Sequence, residues 1–319
     1  MTLMIKPTLA CQFKCDFCSA AYCQQQNTNK LDDELLGYIK KINPDTMIVS
    51  GGDPLLMSPD FYNDILSLND KLTISITSNL WDFKLNPTKW VDLFKNDRFG
   101  VVTSFQYGNK RRKPDGTPYS ESDFREMMCR WHEYVGDKKL SFISVIGNDN
   151  ADRAIDHVYL AKDLNTECKV NNVYPFGKST EYFPRYKMLD IYFKIIDLGL
   201  EEYETNVKNR AKGICPFNID GECFKCNRSI IKNSDGSYRF SYCEELIFNG
   251  TSFDNLDSVT SSETLHINDY IEGERCLQCP LCRLCNGCKV HRNNAKQHAG
   301  YCENMTKYTQ RIAEYGFKI

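Results

Sequence analysis

The sequence has no run long and apolar enough to span a bilayer, so no transmembrane helix is expected. It has almost no net charge, −2 with a pI near 6.2. That excludes bulk electrostatic attraction, so neither nucleic acid nor a membrane is an expected partner. The opening "MTLMIKPTLAC" lacks the pattern of a signal peptide and reads as a strand entering a motif, which predicts a cytoplasmic protein. No obvious acid–base pair stands out. The 319 residues suit one large domain or two medium ones, and 41% hydrophobic with 12% aromatic residues is enough for a real core.

What the sequence does have is cysteine, sixteen of them. In a reducing compartment that number argues against a disulfide scaffold. Their distribution is more informative. Cys11, Cys15 and Cys18 open the chain, and ten more crowd between Cys215 and Cys302. Cys23, Cys129 and Cys168 stand apart and read as buried small hydrophobes.

Three thiolates spaced Cys11-x3-Cys15-x2-Cys18, in a short loop after an apolar strand, can hold three irons of a [4Fe–4S] cube. Such a site normally closes with four cysteines. Here the fourth iron is left open, as catalytic metal sites keep an open position. Phe17 lies between the last two cysteines and is a candidate water shield. A zinc knuckle is the alternative, but zinc sites usually pair two C-x2-C halves and this triplet has no close second half.

From the N-terminus, six short apolar or β-branched runs alternate with helical patterns: "LMIKP", "TMIVSGGDP", "LTISITSN", "FGVVTSFQ", "LSFISVIGN" and "KVNNVYPFG". The alternation predicts an α/β fold of repeated βα units with a parallel sheet. Chemistry in such folds gathers at the C-terminal strand ends, where Cys11, Gly51, Ser78, Ser104, Ser144 and Gly177 fall. The glycines of "GGDPL" allow close backbone approach. The basic segment "GNKRRKPDGTPYSES" reads as a mobile surface loop, with contact to an acidic peptide as its functional alternative. A long amphipathic helix is expected over "EYFPRYKMLDIYFKIIDLGLEEYE".

The triplet, with an aromatic before its last cysteine, resembles the signature of the radical S-adenosylmethionine (SAM) superfamily. The resemblance implies a partial (β/α)6 barrel over residues 1–184. It implies SAM chelated to the open iron and cleaved by one electron to a 5′-deoxyadenosyl radical. It places SAM near Gly51, Gly52 and Asp53, which resemble the family's GGEP turn with Asp in place of Glu. It also places SAM near Ser78 and Asn79 of a TNG-like strand end, near Ser144 and Arg153 as carboxylate partners, and near Tyr174 and Pro175 beside the adenine.

Residues 185–319 resemble the cysteine-rich SPASM extension of radical SAM peptide-modifying enzymes, a twitch-like auxiliary-cluster domain. "NSDGSYRFSYC" supplies its hairpin. One or two auxiliary [4Fe–4S] clusters follow from the resemblance. One draws on Cys276, Cys279, Cys285 and Cys302, the other on Cys215, Cys226, Cys243 and Cys288. The spacing departs from the pattern: Cys285 to Cys288 is short and Cys282 is extra. Zinc fits the "CLQCPLCRLCNGC" spacing equally well. Cys223 and Cys282 are the candidates for surplus thiols, with Cys215 or Cys226 as the alternative spare.

Among SPASM-type relatives the chain looks most like the YydG-type epimerases of ribosomally made peptides. That resemblance implies a precursor peptide as substrate and a flavodoxin- or ferredoxin-type electron donor. In it, the radical takes the Cα hydrogen of an L-residue and Cys223 returns hydrogen from the opposite face. No general base is needed. The alternatives are a thioether-forming maturase and, in another class, a non-catalytic iron–sulfur electron carrier or zinc-binding protein.

Overall fold

The structure is a computed structural model that describes residues 2–18, 31–173, 179–209, 228–233, 235–241, 281 and 300–317. The chain divides into two compact units. The first holds Met1–Phe142, Phe176–Ser179 and Asn227–Ser262; the second holds Ile143–Pro175, Thr180–Cys226 and Glu263–Ile319.

In the first unit, β1 (Thr2–Lys6), β2 (Thr46–Val49), β3 (Thr73–Thr77) and β4 (Phe99–Ser104) are joined by α1 (Asp33–Ile42), α2 (Pro59–Leu66), α3 (Trp81–Leu85) and α4 (Pro87–Lys95). The strands pair in parallel, with Thr2 opposite Thr46, Thr46 opposite Thr73 and Ile74 opposite Phe99. Parallel pairing puts every strand's C-terminus at one edge of the sheet. Alternate strand residues such as Leu3, Ile5, Met47, Val49, Ile74 and Ile76 are buried, the period-2 pattern of a packed sheet face.

The helices carry local stop and start signals. Asp32 caps α1 by accepting from Leu35 N at 2.8 Å, and Asn43 ends it in the left-handed conformation. Ser120 and Asp123 form a reciprocal capping box at the start of α5 (Glu121–Tyr134). Lys138 closes the far end of α4. Its ammonium donates to the carbonyls of Phe94, Asn96 and Phe99 at 2.8, 2.6 and 2.7 Å. A cation suits the negative pole of a helix end.

A hairpin completes this sheet. Strands β7 (Arg228–Lys232) and β8 (Tyr238–Ser241) pair antiparallel through a turn in which Gly236 has φ +88°. The hairpin expected from "SDG" is present. Its first strand pairs in parallel with β1, Ile5 opposite Ile230, so β1 has neighbours on both sides.

The second unit contains most of β5 (Ser141–Ile146), β6 (Cys168–Asn172), α6 (Ala154–Asp163), α7 (Arg185–Asp197) and α8 (Thr205–Lys208). It also holds α9 (Tyr301–Thr306) and α10 (Thr309–Glu314). The long amphipathic helix is shorter than expected. It starts after Pro184 and ends at Asp197, two residues before Gly199, whose φ of +66° reverses the chain. The carboxylate of Glu204, fully buried, then ties α8 to β6 by accepting from Val170 N and Val207 N.

Two readings of lone cysteines separate here. Cys168 is buried in β6, but Cys129 is exposed. Helix α5 buries Phe124, Met127, Met128 and Trp131, and position 129 falls on its other face. Cys23 lies outside the described residues. No helix among the described residues is long and apolar enough to cross a membrane.

Candidate metal centre and its surroundings

The loop after β1 carries Cys11, Cys15 and Cys18, all half-buried and none in a disulfide. It turns tightly, with Cys18 N 3.4 Å from Cys15 O. Burial, and after it the charge of Asp53, pushes the Cys11 thiol far above its ordinary pKa. A thiolate there needs a cation beside it to form.

The glycines of the second strand end are explained by that loop. A Cβ on Gly52 would lie 1.8 Å from the carbonyl oxygen of Ala10, and one on Gly51 2.2 Å from that of Thr8. Gly51 also has φ +127°, which side chains rarely adopt. The close approach brings Gly52 N within 3.0 Å of Thr8 O and Asp53 N within 2.8 Å of Ala10 O. The "GGDP" turn is thus laced directly to the residues that precede Cys11.

Asp53 is fully buried. Its Oδ1 caps the short 3-10 turn Pro54–Leu56 by accepting from Leu55 N at 3.1 Å, and accepts the Ser78 hydroxyl at 2.6 Å. Oδ2 has no hydrogen-bond partner. Burial outweighs these bonds and raises the carboxyl pKa to about 6.

At the third strand end, Ser78 and Asn79 fold the chain back on itself. Ser78 Oγ accepts from Leu80 N at 2.9 Å and Asn79 Oδ1 from Trp81 N at 2.8 Å. Leu80 takes the left-handed conformation, φ +57°, while completely buried. Such strain in a non-glycine residue persists only where surroundings enforce it. The other end of the Asn79 amide donates to Cys11 Sγ at 3.5 Å. Cys11, Gly51, Gly52, Asp53, Ser78 and Asn79 are therefore brought together.

Ser144 and Arg153 belong to the second unit. Ser144 is buried in β5, and Arg153 is half-exposed and paired with Asp156 Oδ2 at 2.8 Å. Cys302 is exposed on α9. Tyr174, Pro175, Cys215, Cys223, Cys226, Cys243, Cys276, Cys279, Cys282, Cys285 and Cys288 lie outside the described residues.

Sequence reasoning missed the residues that grip the cysteine loop. Phe13, inside the Cys11–Cys15 interval, is buried edge-on against Trp81 and Tyr119 at 5.7 and 5.2 Å, whereas Phe17 is only half-buried. The basic segment expected to be a mobile loop is a folded hairpin. Arg112 bridges Pro118, and Asp115 closes the turn by accepting from Thr117 N at 2.8 Å. At its base Tyr119 N donates to Arg111 O at 2.8 Å, and the Arg111 side chain is buried. The length of an Arg-rich run masks this, since one member can turn inward while its neighbours stay solvated.

Residues 5–183, more than half of the chain, match the Radical SAM superfamily. The chain belongs to that superfamily. It is a radical SAM enzyme, and SAM with an iron–sulfur cluster is its cofactor set. No curated protein matches it. Native anSMEcpe, solved with bound AdoMet and the Cp18Cys peptide, is 19% identical, with a TM-score of 0.68 over 98% of this chain and 96% of that one. Streptococcus suis SuiB bound to S-adenosylmethionine is 17% identical, with a TM-score of 0.60 over 93% of this chain and 74% of that one. SuiB bound to its precursor peptide SuiA is 16% identical, with a TM-score of 0.59 over 93% and 73%. At these identities the likeness shows the fold: the α/β partial barrel of the radical SAM type with a further C-terminal region.

The residues present fit the iron–sulfur cluster. Three soft thiol donors, half-buried and free of disulfides, stand on one loop. Among the described residues no three His, Cys, Asp or Glu side chains converge on a single-ion site.

Proposed function

We propose that this radical SAM enzyme modifies a ribosomally made peptide. The observation that carries the reading is the likeness along nearly the whole of both chains to anSMEcpe, which holds AdoMet and a peptide together. SuiB, which binds the precursor peptide SuiA, adds to it.

In this reading Cys11, Cys15 and Cys18 hold the cluster. Gly51, Gly52, Asp53, Ser78 and Asn79 belong to the SAM site, and Ser144, Arg153, Tyr174 and Pro175 are separate candidates for binding SAM. When bound, cluster and SAM supply a one-electron cleavage that makes the 5′-deoxyadenosyl hydrogen acceptor. Cys276, Cys279, Cys285 and Cys302 hold one auxiliary cluster and Cys215, Cys226, Cys243 and Cys288 a second where there are two, and a flavodoxin- or ferredoxin-type protein delivers the electron. Asp53 and Ser78 fix the "GGDP" and "TSN" turns to each other, so both strand ends face the cysteine loop as one piece.

The fate of the peptide radical separates two readings. Oxidative closure, as in a thioether-forming maturase, would pass one hydrogen atom to the deoxyadenosyl acceptor, one electron to an auxiliary cluster and the proton of a peptide thiol to solvent as the C–S bond forms. Epimerisation instead returns a hydrogen from Cys223. A neighbour seen with a precursor peptide speaks for maturation chemistry without demanding inversion, so we place the maturase reading first.

Anaerobically reconstituted enzyme with SAM, dithionite and a synthetic peptide library in deuterium oxide tests both. The expected result is 5′-deoxyadenosine together with peptides lighter by two hydrogens. Peptides heavier by one deuterium, containing a D-residue, would restore epimerisation with Cys223 as donor. Deoxyadenosine formation with no change in any peptide would count against a peptide substrate.

A further inference from the structure

We propose that Arg111 is a positioning residue for the iron–sulfur loop and the buried counter-charge of its cluster. The inference rests on the superfamily membership and is independent of the substrate.

Arg111 is 6% exposed. Its guanidinium lies over two aromatic faces, 5.4 Å from the ring centre of Phe13 and 5.9 Å from that of Tyr119. Its Nη2 donates to Ser104 Oγ at the end of β4. Its Nε makes no hydrogen bond, and among the described residues no carboxylate pairs with it. Phe13 is the buried side chain of the stretch from Cys11 to Cys18, so the cation sits on that stretch's own anchor.

The flanking backbone completes a clamp. Asp16 N donates to Lys110 O at 2.8 Å, Lys14 N donates to Arg112 O at 3.0 Å, and Arg112 Nε pairs with Asp16 Oδ2 at 3.0 Å. The residues on either side of Arg111 therefore hold the stretch between Cys11 and Cys18 while Arg111 holds Phe13.

A buried guanidinium without a paired carboxylate is costly unless something negative compensates it. A [4Fe–4S] core bearing three thiolates is a net anion, and one-electron reduction makes it more so. The Asp53 carboxylate already feels the guanidinium, which lowers its pKa against the larger effect of burial. A cation in this place favours the reduced cluster and so raises its midpoint potential.

The test uses the reconstituted holoenzyme without SAM, with two readouts: EPR-monitored redox titration, and iron loss to a ferrous chelator. R111M is expected to titrate at a more negative potential and to lose iron roughly tenfold faster, the order of a lost desolvated cation–π contact. R111K keeps the charge but not the planar fork, so its potential should stay near wild type while iron loss quickens. Phe13→Leu should also lose iron faster with its potential unmoved. An R111M enzyme with wild-type potential would overturn the counter-charge. So would one in which only SAM affinity falls, which would assign the cation to the cosubstrate. Should R111M fail to fold, R111K and Phe13→Leu still decide: iron loss at the wild-type rate in both would overturn the positioning role.

Discussion

The hydroxyl of Ser78 donates to Asp53 Oδ1 across 2.6 Å, in a region closed to water, and joins two strand ends that lie 25 residues apart. The same oxygen caps the turn at Leu55. Asp53→Ala should therefore cost about 2–3 kcal/mol, for a lost cap and a buried hydroxyl left unpaired. Asp53→Asn keeps the accepting oxygen and places its amide where Oδ2 already lacks a partner. It should stay within about 1 kcal/mol of wild type. Urea denaturation of both variants checks the pair, and equal losses would contradict this account.

Two glycine-to-alanine changes should have opposite signs. Gly52→Ala drives a Cβ into the Ala10 carbonyl, and backbone cannot swing away as a side chain can. A loss of about 3 kcal/mol or more is expected, with weakened iron retention because Ala10 adjoins Cys11. Gly37 lies within α1 with open space around it. Gly37→Ala should stabilise by about 0.5–1 kcal/mol. Thermal melts of the two variants are the measurement.

Lys138 holds three carbonyls at the junction of α4 and β4. Lys138→Met keeps the stem but strips all three of their donor. A cost of about 2–3 kcal/mol is expected from lost charge-assisted hydrogen bonds. Hydrogen exchange should show the loss at Phe99 and the end of α4 before the rest of the first unit.

His157 is fully buried, and burial lowers its pKa from 6.5 to about 4, against a bond between Nδ1 and Arg153 O at 3.0 Å. Between those values the unfolded chain binds a proton that the fold refuses. Stability therefore falls as pH drops from 6.5 towards 4, by up to about 3 kcal/mol. Asp53 and Glu204, raised by burial to about 6 and about 7, act in the opposite sense and lose stability as pH rises. The difference between wild type and His157→Gln isolates the histidine. Its slope should correspond to one proton across that window, and parallel pH profiles would refute the assignment.

Much of this was legible from local pattern. The cysteine triplet, the "GGDP" and "TSN" strand ends and the hairpin at "SDG" each depend on residues close in sequence, and each is found where its local chemistry places it. The misses are non-local. Helix α3 begins from a buried left-handed Leu80, a conformation that only packing enforces. The inward turn of Arg111 depends on Phe13, Ser104 and Tyr119, which no window around "KRRK" contains. Cys129 faces outward: standing apart in the sequence says nothing of helix phase. The C-terminal cysteines remain a matter of spacing, since all but Cys302 lie outside the described residues.

The pairing of β1 with β7 sets an order of events during synthesis. Strand β1 leads into the iron-binding loop, yet one of its flanks stays bare until residue 232, more than 200 positions later, has emerged. A contact spanning most of the chain is slow to form, and a bare strand flank invites the wrong neighbour meanwhile. Metal loading is best matched to a finished polypeptide, so iron delivered to nascent chains should be retained poorly compared with iron delivered after release.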